Sequence, residues 1–110
     1  MNFREAMDAL IELTGQEPKR FGFLVDCPIG LEFSTSIQVC ILLTDDADLY
    51  YYKILVRVPT VPLLSVEDSI RFTAAMAQAL WVASEAQTLV GGQQWTGNEI
   101  AHYEREHESL

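Results

Sequence analysis

The chain is short of basic residues. Seven Lys and Arg stand against sixteen Asp and Glu, which gives a formal net charge of −9. Nucleic acids and anionic membrane surfaces are bound through basic patches, so this charge argues against both as partners. A basic protein partner, or simple solubility, accounts for the excess of acid more directly.

Cysteine is also scarce, and long apolar runs are missing. The two cysteines, Cys27 and Cys40, lack the spacing of a metal site and are expected to be reduced thiols of a cytoplasmic protein. No run of about 18 apolar residues occurs, so no segment is predicted to span a membrane. The early charges, without a small-residue cleavage site, argue against a signal peptide.

Motifs of catalysis or cofactor binding are absent from the sequence. It contains no phosphate-binding loop, no nucleophile elbow and no H-E-x-x-H zinc motif. Two E-x-x-H pairs occur near the C-terminus, Glu99 with His102 and Glu104 with His107. They lie about 140° apart around one predicted helix, so they cannot converge on a metal ion. We therefore predict no catalytic residue, no cofactor and no metal site, and expect that the protein is not an enzyme.

What the chain does contain is apolar residues in regular patterns. Hydrophobic residues make up 49% of 110 residues, enough for one domain with a modest core. The patterns predict a single α+β domain over residues 1–110. Its predicted elements are a helix at 2–14 ending at Gly15, a short strand at 21–26 broken by the following "CPIG", a long hairpin with strands at 31–44 and 49–58, a long helix from Ser65 to about Val90, and a short helix after Asn98.

The hairpin is predicted from the strict alternation of apolar and polar residues between 31 and 44. Pairing Thr44 with Leu49 sets apolar residues opposite each other along one face, as a buried face requires. On the other face, Tyr51 lies opposite Leu42 with Leu55 nearby, a small apolar patch. The predicted core face consists of Leu31, Phe33, Thr35, Ile37, Val39, Ile41, Leu43, Tyr50, Tyr52, Ile54, Val56 and Val58.

The long helix has more apolar surface than one packing face needs. A surface helix normally carries one apolar stripe. Here one stripe runs through Phe72, Met76, Ala79, Ala83, Ala86 and Val90, and another, roughly opposite, through Val66, Ile70, Ala77, Trp81 and Ser84. The first is predicted to pack on the hairpin. The second is covered either by the shorter first helix or by another protein.

These observations favour a non-enzymatic regulator that binds another protein through an apolar helix surface, in the manner of an anti-activator or anti-factor. A homodimer through the same helix is also expected. One alternative is a dimeric chaperone for a secreted protein, since the order of elements resembles that of small bacterial secretion chaperones. Another is a small-ligand or enzymatic pocket near Tyr50, Tyr52 and Trp81. The predicted protein-interaction residues are Val66, Ile70, Ala74, Ala77, Trp81, Leu42, Tyr51 and Leu55.

Overall fold

The computed structural model of the chain describes residues 1–30, 36–46, 49–91 and 93–94. It confirms the α+β prediction: an N-terminal helix, three antiparallel strands and a long helix packed on the sheet. The helix predicted after Asn98 lies outside the described residues. The elements are α1 (Phe3–Thr14), β1 (Gly22–Pro28), β2 (Ser36–Asp46), β3 (Leu49–Arg57), α2 (Val66–Val90) and β4 (Gln93–Gln94).

Helix α1 has a side-chain cap at its start and a left-handed glycine at its end. The Asn2 side chain accepts a hydrogen bond of 2.8 Å from the backbone N–H of Glu5, satisfying a donor that the first turn leaves open. Gly15 adopts a φ of 67°, and its N–H donates to the Ile11 carbonyl. Glycine takes this conformation without the steric cost of a Cβ, so it ends the helix as predicted.

A two-residue turn leads from the first helix into the sheet. Arg20 and Phe21 both have positive φ angles, and Lys19 and Gly22 exchange both of their backbone hydrogen bonds. Strand β1 then continues through Pro28, whereas the sequence predicted a break after residue 26. Proline is tolerated there because β1 is at the edge of the strand order β1-β2-β3-β4, where a missing N–H need not break a ladder.

The predicted register between β2 and β3 is wrong by two residues. Leu43 lies opposite Tyr52, not Tyr50, and the ladder extends to Asp46 opposite Leu49. The prediction placed a four-residue turn after Thr44, whereas only residues 47–48 connect the strands. An even shift keeps each side chain on its predicted face, because side chains alternate with a period of two.

The core lies between the sheet and the two helices. On the predicted core face, Ile37, Val39, Ile41, Leu43 and Tyr52 are buried, and Tyr50, Ile54 and Val56 are partly buried against them. Val58 is 46% exposed, so its assignment to the core is wrong; β3 ends one residue before it. Predicted core positions 31, 33 and 35 lie outside the described residues. Helices and β1 add Ala6, Met7, Leu10, Phe23, Cys27, Ala75, Ala79, Val82, Ala86 and Val90 to the core.

Helix α2 begins and ends where the sequence predicts. The Ser65 hydroxyl accepts a hydrogen bond of 3.1 Å from the N–H of Asp68, and Gly91 closes the helix with a φ of 50°. The next described residues correct the prediction of a loop after the helix. Gln93 and Gln94 form a short strand parallel to Tyr51 and Tyr52 at the free edge of β3.

Candidate functional site

One side of α2 is apolar and faces away from the rest of the described structure. Val66 is 80% exposed, Ile70 65%, Leu80 55% and Trp81 58%, and Ala74 and Ala77 between them are also exposed. We call these six residues the exposed face of α2. Four of them, Ile70, Ala74, Ala77 and Trp81, follow one another at intervals of four, three and four residues, the spacing of a helix–helix seam.

The first helix does not cover this face. Helix α1 contacts α2, but its buried residues Ala6, Met7 and Leu10 belong to the same core cluster as the sheet-facing side of α2. On that side Ala75, Ala79 and Val82 are buried, and Phe72, Met76 and Ala83 pack against them. Among the described residues, therefore, the first predicted stripe is covered and the second is open.

A shallow groove runs along the N-terminal half of the exposed face. It has a volume of about 550 Å³ and its walls are mostly apolar. The groove exists because Ser69, Thr73, Ala74 and Ala77 are small, so that the larger Val66 and Ile70 stand above the surface between them. Its lining consists of Leu64, Val66, Ser69, Ile70, Thr73, Ala74 and Ala77.

Charged side chains lie at the margin of the face and not within it. Arg71 contacts the Glu67 carboxylate at 3.2 Å and the Asp68 carboxylate at 3.7 Å, and it donates a 3.4 Å hydrogen bond to the Gly30 carbonyl. These ion pairs are exposed and contribute little to stability. Together with the hydrogen bond to Gly30, they orient the Arg71 side chain towards the C-terminal end of β1. Glu85, five helical turns after Glu67, lies on the same side of the helix axis.

The second group of predicted interaction residues lies on the opposite face of the sheet. Leu42 is buried and lies opposite Lys53, so it is not part of an exposed patch with Tyr51 as predicted. Tyr51 is partly buried opposite Thr44, and Leu55 is 39% exposed opposite Cys40. Because α2 packs on the other face, these residues are not continuous with the exposed face of α2. A role of Tyr51 and Leu55 in binding stays a prediction.

The outer face of the sheet also carries an ordered polar cluster. The Asp26 carboxylate accepts a 3.0 Å hydrogen bond from the Ser36 hydroxyl and a 2.9 Å bond from the Gln38 amide. These hydrogen bonds among three polar side chains link β1 to β2 and fix the strand register at this end of the sheet. This arrangement is sufficient to explain Asp26 without a ligand.

The predicted pocket near Tyr50, Tyr52 and Trp81 is not formed by these three residues. Tyr52 is buried in the core, and Tyr50 donates a hydrogen bond from its hydroxyl to the Val90 carbonyl at the end of α2. Trp81 instead projects from the exposed face, about 140° around the axis from the centre of the buried side. The three rings therefore lie on two different sides of α2.

Both thiols are free and buried. Burial raises the pKa of Cys27, and the nearby Asp26 carboxylate adds to the effect. Burial likewise raises the pKa of Cys40; Arg57 and Lys53 oppose this shift and Asp26 supports it. A raised thiol pKa leaves little thiolate at neutral pH, which makes both groups poor nucleophiles.

The described residues contain neither a metal-binding cluster nor a membrane-spanning helix. Within residues 1–30, 36–46, 49–91 and 93–94, no three His, Cys, Asp or Glu side chains come close enough together to hold a metal ion. The E-x-x-H pairs at Glu99 and Glu104 lie outside these residues. In the same part of the chain, neither helix combines the length and apolarity needed to cross a bilayer.

Sequence reasoning missed Leu80 and the groove beside Ile70. Leu80 lies three residues after Ala77 and one turn before Ser84, so helical spacing alone places it near the exposed face. Predicting the groove would have required knowing which small residues stay uncovered in the folded protein.

Comparison of the chain with protein-family models, with curated proteins and with solved structures gives no match.

Proposed function

We propose that the protein is a non-enzymatic regulator that binds another protein through the exposed face of α2 and so blocks that protein's own apolar surface. The observation that carries the proposal is the exposure of Trp81, Ile70, Val66 and Leu80 on one side of one helix. Contiguous apolar patches of this kind usually mark interaction sites. Trp is also the residue type that most often dominates binding energy at such sites.

The geometry favours recognition of a helix. An exposed stripe with four- and three-residue spacing presents one row of side chains to a partner, and an amphipathic helix or an apolar groove matches such a row. The acidic margin formed by Glu67 and Glu85 favours basic residues flanking the partner's apolar stripe. A net charge of −9 supports the same preference at longer range.

The test is capture of the partner by two matched baits. Wild-type protein and the Trp81→Asp variant are immobilised and exposed to native lysate of the source cells, and bound proteins are quantified. The control is Leu24→Asp, the same kind of change at a partly exposed leucine on the opposite face of the sheet. We expect one protein to be retained by wild type and by Leu24→Asp and to be lost with Trp81→Asp.

The captured protein then distinguishes a regulator from a chaperone. A regulator inhibits its folded target's activity at equimolar concentration, and the Trp81→Asp variant does not. A chaperone binds a client that is unfolded in the complex, which hydrogen exchange of the client detects. Retention of the same proteins by all three baits would contradict the role assigned to α2.

A further inference from the structure

We infer that the exposed face of α2 is occupied, when no other partner is bound, by the same face of a second copy of this chain, with the two helices antiparallel and Trp81 of each copy seated in the groove beside Ile70 of the other. This inference rests on the proposed binding role of the face and specifies its occupant. It follows from the positions of large and small side chains along the seam.

The seam has the same order of sizes when read from either end. Ala74 and Ala77 lie at its centre, Ile70 lies four residues before Ala74, and Trp81 lies four residues after Ala77. In an antiparallel pair with its two-fold axis between the alanines, Ala74 therefore faces Ala77 of the second copy, and Ile70 faces Trp81. Small residues meet at the centre, where the backbones approach most closely, and large residues meet on either side.

The groove is in the place where this pairing needs one. It surrounds Ile70 and is lined by Val66, Ser69, Thr73, Ala74 and Ala77. A seam residue of one helix inserts among four residues of the facing helix, so the Trp81 ring that lands opposite Ile70 enters this groove. The two-fold axis repeats the contact, which gives two identical Trp81 insertions in each dimer.

The pairing buries no charged side chain at its centre. Every residue of the exposed face is uncharged, so no ion is removed from water without a partner. At the margin the same axis brings Glu67 of one copy beside Glu85 of the other, because both lie on the same side of the seam. The ion pair between Glu67 and Arg71, at 3.2 Å, offsets only part of this repulsion.

The size of the contact sets its strength. A seam about 30 Å long and about 10 Å wide covers about 300 Å² on each copy, given the dimensions of an α-helix. Stable interfaces bury about 1,200 Å² or more in total. We therefore expect a weak, reversible dimer in equilibrium with the monomer, a state from which a tighter partner can displace the second copy.

Sedimentation across a range of concentrations tests the dimer and its register. Wild type should shift from monomer towards dimer as its concentration rises, and Trp81→Asp should stay monomeric at every concentration. Glu85→Lys should tighten the dimer several-fold, because it replaces the repulsion with Glu67 by attraction. Glu12→Lys, at an exposed position of α1, makes the same change in net charge and should have a much smaller effect. Circular dichroism confirms that each variant is folded.

A disulfide test checks the antiparallel arrangement independently. Cys27 and Cys40 are buried, so a cysteine introduced at Glu67 or Glu85 is the accessible thiol among the described residues. A mixture of Glu67→Cys and Glu85→Cys proteins, oxidised with glutathione disulfide, should form the mixed dimer far faster than either variant couples to itself. Self-coupling that equals mixed coupling would overturn the register, and a wild type that stays monomeric near 1 mM would overturn the dimer.

The two proposals fail separately. If Trp81→Asp abolishes dimerisation but captures the same proteins from lysate as wild type, the dimer is supported and the regulator is contradicted. If wild type is monomeric but captures a protein that Trp81→Asp does not, the regulator is supported and the dimer is contradicted.

Discussion

The hydroxyl of Tyr50, in the third strand, donates a hydrogen bond to the backbone carbonyl of Val90, the last residue of the long helix. The final carbonyls of a helix lack partners within the helix, and this one is satisfied from the sheet. The bond joins the end of α2 to β3 at the point where the chain turns towards β4. It therefore holds the helix at a fixed position along the sheet.

Tyr50→Phe should lower the free energy of unfolding by about 0.5–1.5 kcal/mol at neutral pH, the usual net worth of such a bond. Urea unfolding followed by circular dichroism measures the change. Tyr52→Phe is the matched control, because Tyr52 is buried and the described residues show no hydrogen bond of its hydroxyl. Equal losses in the two variants would show that the bond to Val90 adds nothing.

The same tyrosine should make stability depend on alkaline pH. Burial raises the pKa of Tyr50 above its ordinary value of 10.0, with smaller contributions from Glu5 and Tyr52. The folded state then holds its proton where the unfolded state has lost it, so stability falls as pH rises through and beyond 10. Unfolding of wild type and Tyr50→Phe, measured from pH 8 to 11, should show the advantage of the tyrosine shrinking above pH 10. An advantage that is constant over this range would contradict the shift.

Ile41→Ala should destabilise the protein by about 2–5 kcal/mol, since it empties space in a packed core. Ile41 is fully buried and faces Phe23 on one side and Ile54 on the other. Val58→Ala is the companion variant, because Val58 is exposed and should change stability by about 0.5 kcal/mol or less. A reversed order of the two losses would mean that the strand faces are assigned wrongly.

The thiols should be protected in the folded protein. Because burial raises the pKa of both Cys27 and Cys40 and shields their sulfur atoms, a thiol-specific disulfide reagent at pH 8 should react with them slowly. Unfolding in guanidinium should release both at the rate of a free cysteine. A thiol that reacts fast in the native protein would contradict this protection, and a Cys40→Ser variant would show whether that thiol is Cys40.

Adjacent residues on α2 should respond differently to the same substitution. Val82→Asp places an unpaired carboxylate in the core, since Val82 is only 7% exposed, and it should unfold the protein. Trp81→Asp, at low protein concentration, should change the free energy of unfolding by less than about 0.5 kcal/mol, as exposed substitutions usually do. Thermal unfolding of dilute samples measures both. Unfolding of Trp81→Asp would place Trp81 in the core.

Local signals predicted most of the fold. Ser65, Gly15 and Gly91 act over one helical turn, so the ends of α1 and α2 could be predicted from the sequence. The faces of β2 and β3 could be predicted because they depend only on alternation. The register depended on the length of the connection between Asp46 and Leu49, which alternation does not determine.

The errors share a physical cause, namely neighbours that the sequence does not reveal. Pro28 is part of a strand because that strand lies at the edge of the sheet. Gln93 and Gln94 pair with β3 because α2 ends beside that strand. Leu42, predicted to lie in an exposed apolar patch with Tyr51, is instead buried. For the candidate site, periodicity predicted the second stripe of α2, but only the structure shows that α1 leaves it uncovered.

The roughly opposite placement of the two apolar sides of α2 has an evolutionary consequence. Ala79 and Val82 are constrained because they pack in the core against the sheet. Ile70 and Trp81 are exposed, so packing within the described structure does not constrain them. Mutations on the outward side are therefore not filtered by the need to fold. With the binding role proposed for this side, substitutions along a single helix can change or abolish partner binding while the domain itself is inherited intact.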